Sequence, residues 1–170
     1  MGADRFGSLE GKTILYTGAA GGLGLETTLE LLRSGAKVVA IDNDANKVAA
    51  LLAAAGGLGG LTVARLDLAD LTGLRAGLLK LSAEVGGFDV VINNAAIYPS
   101  KPFEAYSIEE MQLVQRINVD AGIVCVQVAL PHMKQARRGR IINISSVTIS
   151  GGWSDLTPYV QSKMALVGLT

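Results

Sequence analysis

Thr17-Gly18-Ala19-Ala20-Gly21-Gly22-Leu23-Gly24 joins a β-prone run, Thr13 to Tyr16, to a segment in which Leu25, Leu29 and Leu32 recur at helical spacing. Gly35 stands where that helix should stop. Strand, glycine turn and helix in this order make a phosphate-binding geometry. One glycine lets the chain turn sharply off the strand. Another lets backbone approach a pyrophosphate with no Cβ in the way. The helix N-terminus behind them offers free N–H groups and a partial positive charge. The same spacing also suits a tight turn that holds no ligand.

Beyond this unit the pattern repeats. Val38 to Ile41 is apolar and stops at Asp42, and Ala45 to Ala55 is a helix former closed by Gly56-Gly57. Leu61 to Leu66 is a third strand, and Leu71, Leu74, Leu78, Leu81 and Val85 trace a helical stripe. Phe88 to Ile92 and Arg140 to Ile144 read as the fourth and fifth strands. Between them Met111 to Met133 is one long helical region, with a bend expected near Pro131. A last helix starts near Pro158. Alternating strands and helices imply an α/β fold with a doubly wound parallel sheet. The strands are near-continuous apolar runs, as a sheet covered on both faces requires. Strand order 3-2-1-4-5 brings Gly18, Asn93 and Ser146 to one edge, around one crevice.

With 170 residues, 49% hydrophobic and 18% charged, the chain suits one domain over residues 1–170. It has too much apolar content for a disordered protein. Zero formal net charge argues against a nucleic-acid partner. Cys125 is the single cysteine, which excludes an intrachain disulfide and suits a reducing, cytoplasmic setting. Met1 to Ser8 carries no apolar stretch of signal-peptide length, and Phe6 stands where a myristoylation signal needs Ser or Thr. Val119 to Leu130, the longest apolar region, is shorter than the ~20 residues of a membrane span. His132 is the only histidine and offers no metal cluster.

Asp42 lies 18 residues after Gly24, at the end of the second strand. A carboxylate there can accept hydrogen bonds from the ribose hydroxyls of an adenosine, or merely start a turn or cap the next helix. A 2′-phosphate would meet Asp42 and Asp44 as like charges, so NAD is expected and NADP less so. Tyr159 and Lys163, four residues apart, share a helix face. A nearby ammonium favours phenolate and lowers a tyrosine's pKa from about 10. Such a tyrosine can take a proton from an alcohol or return one to a carbonyl. An ordinary exposed helix pair shows the same spacing.

These motifs together resemble the short-chain dehydrogenase/reductase family from about Leu9 to Thr170. The turn is Thr-Gly-x-x-x-Gly-x-Gly, and Asn93-Asn94-Ala95-Ala96 resembles the family's Asn-Asn-Ala-Gly, with Ala96 replacing glycine. The resemblance implies a Rossmann-like fold and an NAD site at Thr17, Gly18, Gly22, Leu23 and Gly24. Asp42, Asp67, Leu68, Asn94 and Ala95 would complete it, with Tyr159 and Lys163 at its nicotinamide end. It implies that Tyr159 is the acid/base, Lys163 the cofactor anchor and Ser146, 13 residues before Tyr159, the ligand of the substrate oxygen. Ser145 would shape the turn. Asn118 would support a water-linked proton path, although an amide can equally fill a helix break.

The expected reaction interconverts a secondary alcohol and a ketone. Tyr98 and Trp153 are expected to border the substrate, which makes it apolar or aromatic. The apolar residues around the long helix suggest a homo-oligomer, a dimer or tetramer. Family members run on for roughly 80 residues beyond the length seen here, so a C-terminally incomplete domain that turns over slowly is expected. An NAD-binding module or scaffold without turnover, and an NADPH-dependent carbonyl reductase, are the alternatives.

Overall fold

A computed structural model describes residues 9–170. The reading of Met1 to Ser8, Phe6 included, lies outside the described residues. Five strands form one parallel sheet: β1 (Thr13–Thr17), β2 (Lys37–Ile41), β3 (Leu61–Ala64), β4 (Val90–Asn93) and β5 (Arg140–Asn143). Their order is β3-β2-β1-β4-β5, with Ile14 beside Val38 and Val90, and Asn93 beside Asn143. All five C-terminal ends therefore open on one edge. The helices are α1 (Gly22–Arg33), α2 (Ala45–Ala55), α3 (Leu71–Val85), α4 (Ile108–Gln115), α5 (Ala121–Ala136) and α6 (Thr157–Leu169).

Alternation along the strands divides the core in two. Ile14, Tyr16, Val38 and Ala40 pack with Leu29 and Leu32 of α1 and with Val48 and Leu51 of α2. Leu15, Val39, Ile41 and Val91 face the other way, onto Leu74 and Leu78 of α3 and Val124, Cys125 and Val128 of α5. This is the period of two expected for a strand, repeated in register across the sheet. Burial pushes the Cys125 thiol up to about 12, which leaves it a core group and no nucleophile.

The region between β4 and β5 departs from the single helix read in the sequence. It begins at Ile108, where Ser107 and Glu110 cap each other's backbone N–H groups. The helical hydrogen bonding then widens to a π turn at Arg116–Asp120, and Pro131 lies inside α5 without ending it. The interruption sits at Asn118, not near Pro131. Its cause is tertiary. Asn118 Oδ1 accepts from the Ile97 N–H at 2.8 Å, and Nδ2 donates to the Ile97 carbonyl at 2.9 Å. An added residue in the turn aims that amide at the loop after β4. Together Ile108–Ala136 makes 29 helical residues, long and apolar enough by composition to cross a membrane. Here that helix is the inner layer of the fold, half buried against α3 and the sheet.

Candidate active site

The turn after β1 is tied down on three sides. Thr17 Oγ1 accepts from the N–H groups of Asn94 and Ala95 at 3.1 and 3.2 Å, and Asn94 Nδ2 donates to the carbonyls of Thr17 and Gly18 at 3.2 Å. Thr28 Oγ1 donates to the Ala19 carbonyl from behind at 3.0 Å. Asp42 Oδ2 accepts from the Ala20 N–H at 3.2 Å, and Oδ1 accepts from the Asp44 N–H at 3.1 Å. Gly18 adopts φ +66°, and a Cβ there would lie 2.9 Å from Ala95 Cα. Only glycine lets the turn sit this close to the end of β4.

The α1 N-terminus is open. Its N-cap, Gly21, has no side chain to take an N–H, and Leu25 is the first residue to donate back, to the Gly21 carbonyl at 2.7 Å. The N–H groups of Gly22, Leu23 and Gly24 therefore have no partner within the helix. They border a crevice of about 540 Å³ that continues past Asp42, Asp67 and Leu68 to Asn94 and Ala95, and ends at Tyr98, Tyr159 and Lys163. A donor-rich helix end, a carboxylate on the adjacent strand and an elongated cavity fit a dinucleotide.

At the far end, Tyr159 and Lys163 share one face of α6. The Lys163 ammonium lies 5.6 Å from the Tyr159 ring centroid and donates to the Ile144 carbonyl at 2.7 Å. Lys163 is only 2% exposed, and that burial holds its pKa below the ordinary lysine value. The Tyr98 ring meets the Tyr159 ring edge-on, with centroids 6.0 Å apart. Ser146 Oγ accepts from the N–H and the hydroxyl of Thr148, at 3.2 and 3.0 Å. With both lone pairs engaged, its own proton remains available to donate.

Thr17, Asn118, Ser146 and Trp153 do not line this crevice. Thr17 is buried beneath it. Asn118 is also buried, and its Nδ2 donates to Ser162 Oγ at 2.9 Å as well as to Ile97. Both ends of the amide therefore hold the π turn to Ile97 and Ser162. Trp153 borders a second, apolar cavity of about 900 Å³ with Phe103, Met111, Val160 and Met164. Tyr98 and Trp153 were both expected to border the substrate, but they line separate cavities with α6 between them.

Lys47 lines the crevice beside Asp42 and Asn43, with its ammonium 3.5 Å from Asp44 Oδ2. Arg65 donates to the Asn43 carbonyl at 3.3 Å. Neither cation was singled out in the sequence. The signal available for Lys47 was its place in the first turn of the helix that Asp44 caps. Ala96 adopts no left-handed φ, so alanine costs no backbone strain where the family motif has glycine. Among the described residues no three His, Cys, Asp or Glu side chains converge as a metal-ligand set.

Known proteins resemble this chain in sequence and fold. Residues 12–170 match the profile of the short chain dehydrogenase family, and the chain belongs to that family. It is 33% identical over 163 residues to a 3-oxoacyl-[acyl-carrier-protein] reductase of Thermotoga maritima, covering 95% of this chain and 66% of that protein. It is 32% identical to galactitol 2-dehydrogenase of Agrobacterium fabrum, covering 95% of this chain and 63% of that protein. The crystal structure of a metagenomic short-chain oxidoreductase in complex with NADP superimposes with a TM-score of 0.87 at 31% identity, covering 95% of this chain and 73% of that one. The chain spans 56–66% of the length of the curated relatives it matches.

Proposed function

We propose that this protein is an NAD(H)-dependent oxidoreductase interconverting a secondary alcohol and an apolar or aromatic ketone. The observation that carries the reading is the single crevice running from the open α1 N-terminus to the Tyr159–Lys163 pair. A bound nicotinamide dinucleotide supplies the hydride chemistry. The N–H groups of Gly22 to Gly24 hold the pyrophosphate end, and Asp42 holds the adenosine ribose.

Tyr159 hands its hydroxyl proton to the substrate oxygen in reduction and takes it back in oxidation. The Lys163 ammonium stabilises the phenolate left behind. Ser146 stands outside the crevice lining but directly follows Ser145, which lines it, and is assigned as the second donor to the same substrate oxygen. Tyr98 supplies an aromatic wall beside Tyr159. The test is oxidation of NADH followed at 340 nm with a panel of aryl ketones, using the intact protein. Turnover that follows aromatic and apolar substituents supports the reading, and turnover with none of them counts against it.

Preference for NADH rests on Asp42. A carboxylate has about four lone-pair positions, and Asp42 spends two on the Ala20 and Asp44 N–H groups. Two remain for ribose hydroxyls, and a 2′-phosphate would be repelled. Lys47 and Arg65 favour the second reading, NADPH, as does the NADP in the metagenomic relative. Asp42 is bonded to the turn through the Ala20 N–H, and Lys47 is paired with Asp44. Asp42→Ala is expected to weaken NADH binding about tenfold, the worth of a charged hydrogen bond, and to strengthen NADPH binding. Unchanged preference in a fluorescence titration would remove Asp42 from this role. An assembly of two or four copies in the cytoplasm completes the proposal, with Leu113, Met164 and Val167 leaving apolar surface on α4 and α6.

A further inference from the structure

Lys163 is bonded at both of its ends to two consecutive residues just past β5. Its ammonium donates to the Ile144 carbonyl at 2.7 Å, and its own backbone carbonyl accepts from Ser145 Oγ at 3.0 Å. The Ile144 N–H in turn donates to the Asn93 carbonyl at 2.9 Å, so the anchor is continuous with the sheet. On its other side the same helical turn is held by Ser162. That hydroxyl accepts from Asn118 Nδ2 at 2.9 Å and donates to the Tyr159 carbonyl at 2.7 Å.

A lysine side chain has four rotatable carbons, and a single bond at its tip leaves both tip and stem free to shift. Fixing the backbone carbonyl at the root and the ammonium at the tip against adjacent residues removes that freedom. We propose that Ser145 is a positioning residue, whose hydroxyl on the Lys163 carbonyl sets where the Lys163 ammonium stands beside Tyr159. The proposal rests on the reading above that Lys163 works with Tyr159. A misplacement of about 1 Å at such a site can cost 10²-fold in rate. The Lys163 carbonyl also lies inside α6, which still accepts a helical bond there without Ser145. Loss of the hydroxyl should therefore leave the fold intact.

The groups facing the ammonium are few. From α6 there is Tyr159, with Tyr98 beyond it. From the segment after β5 there is the Ile144 carbonyl, and the neighbouring Ser145, Ser162 and Asn118 are neutral. Burial alone lowers the Lys163 pKa. A looser α6 would admit water, raise that pKa and move the alkaline limb of the rate profile to higher pH.

The test uses the intact protein as wild type, Ser145→Ala and Ser145→Thr, with steady-state kinetics over pH and an NMR titration of 15N-labelled lysine. Ser145→Ala is expected to lower kcat about tenfold with the ketone KM nearly unchanged, and to raise the Lys163 titration midpoint. Ser145→Thr keeps the hydroxyl and is expected to restore both. An unmoved Lys163 titration in Ser145→Ala, or a wild-type kcat and pH profile, overturns the proposal. If the folded wild type reduces no ketone, the enzymatic reading fails on its own. An upward shift of Lys163 in Ser145→Ala still upholds the clamp, and no shift still overturns it.

Discussion

Tyr159→Phe is expected to lower ketone reduction by about 10²–10⁴-fold, the usual worth of a positioned acid/base, while NADH binding stays within about twofold of wild type. The substitution removes one oxygen and keeps the ring. The edge-on contact with Tyr98 and the approach of the Lys163 ammonium to the ring both survive. The glycine turn and Asp42, proposed to hold the cofactor, lie at the other end of the crevice and are untouched. What disappears is the proton that the substrate oxygen needs. Ser146 and the Lys163 ammonium, one of whose three N–H groups goes to the Ile144 carbonyl, are assigned to stabilise charge and not to replace the Tyr159 proton. The measurement is kcat by NADH oxidation beside an NADH titration of the same sample. A Tyr159→Phe protein that kept a tenth of wild-type kcat would remove Tyr159 from the acid/base role.

Gly24→Ala should be the most damaging change in the glycine turn. A Cβ on Gly24 would stand 2.0 Å from the Gly18 carbonyl oxygen, 2.8 Å from the Ala19 carbonyl carbon and 3.0 Å from Ala19 Cα. All three are backbone atoms of a turn pinned by Asn94, Thr28 and Asp42, so no side chain can swing aside. Either α1 moves away from the turn or the turn loses its shape. Overpacking of this kind costs about 3 kcal/mol. For a chain of this length that lowers Tm by roughly 6–12 °C. The N–H groups of Gly22 to Gly24 would also lose their aim, and NADH binding should fall below detection. Gly22→Ala is the control. Its Cβ would meet nothing within 4 Å, so Tm should stay within about 1–2 °C of wild type. Equal thermal stability of the two variants would contradict the packing described for the turn.

The sheet order and the face on which each strand residue lies were legible because they follow from local rules. Ile14 and Leu15 point to opposite layers by the strand period, and the glycine turn marks where β1 must end. The crevice was partly legible for a related reason: the parallel strands bring Gly18 to its lining as expected, whereas Asn93 and Ser146 stand outside it and their neighbours Asn94 and Ser145 line it. What stayed hidden depends on contacts distant in sequence. An α turn and a π turn differ by one residue, and the residue that selects the π turn acts on Ile97, 21 positions away. Pro131 carries the stronger local signal for a break, yet α5 absorbs it. Trp153 lies between Ser146 and Tyr159 in the chain, but chain order does not say on which side of α6 a loop residue falls. Tyr159 and Lys163 face one cavity, whereas Val160 and Met164 face the other, with Trp153. The role of Ser145 was half legible. Its place in a turn follows from sequence, and its bond to Lys163 requires α6 to be packed against the end of β5.

The most direct test of a nicotinamide dinucleotide in this crevice is titration of the intact, folded protein with NADH and separately with NADPH, followed by nicotinamide fluorescence. Saturable binding of NADH, tighter than that of NADPH and weakened by Asp42→Ala, is the predicted result. Absence of binding by either cofactor, in a sample whose circular dichroism shows the α/β fold, would contradict it.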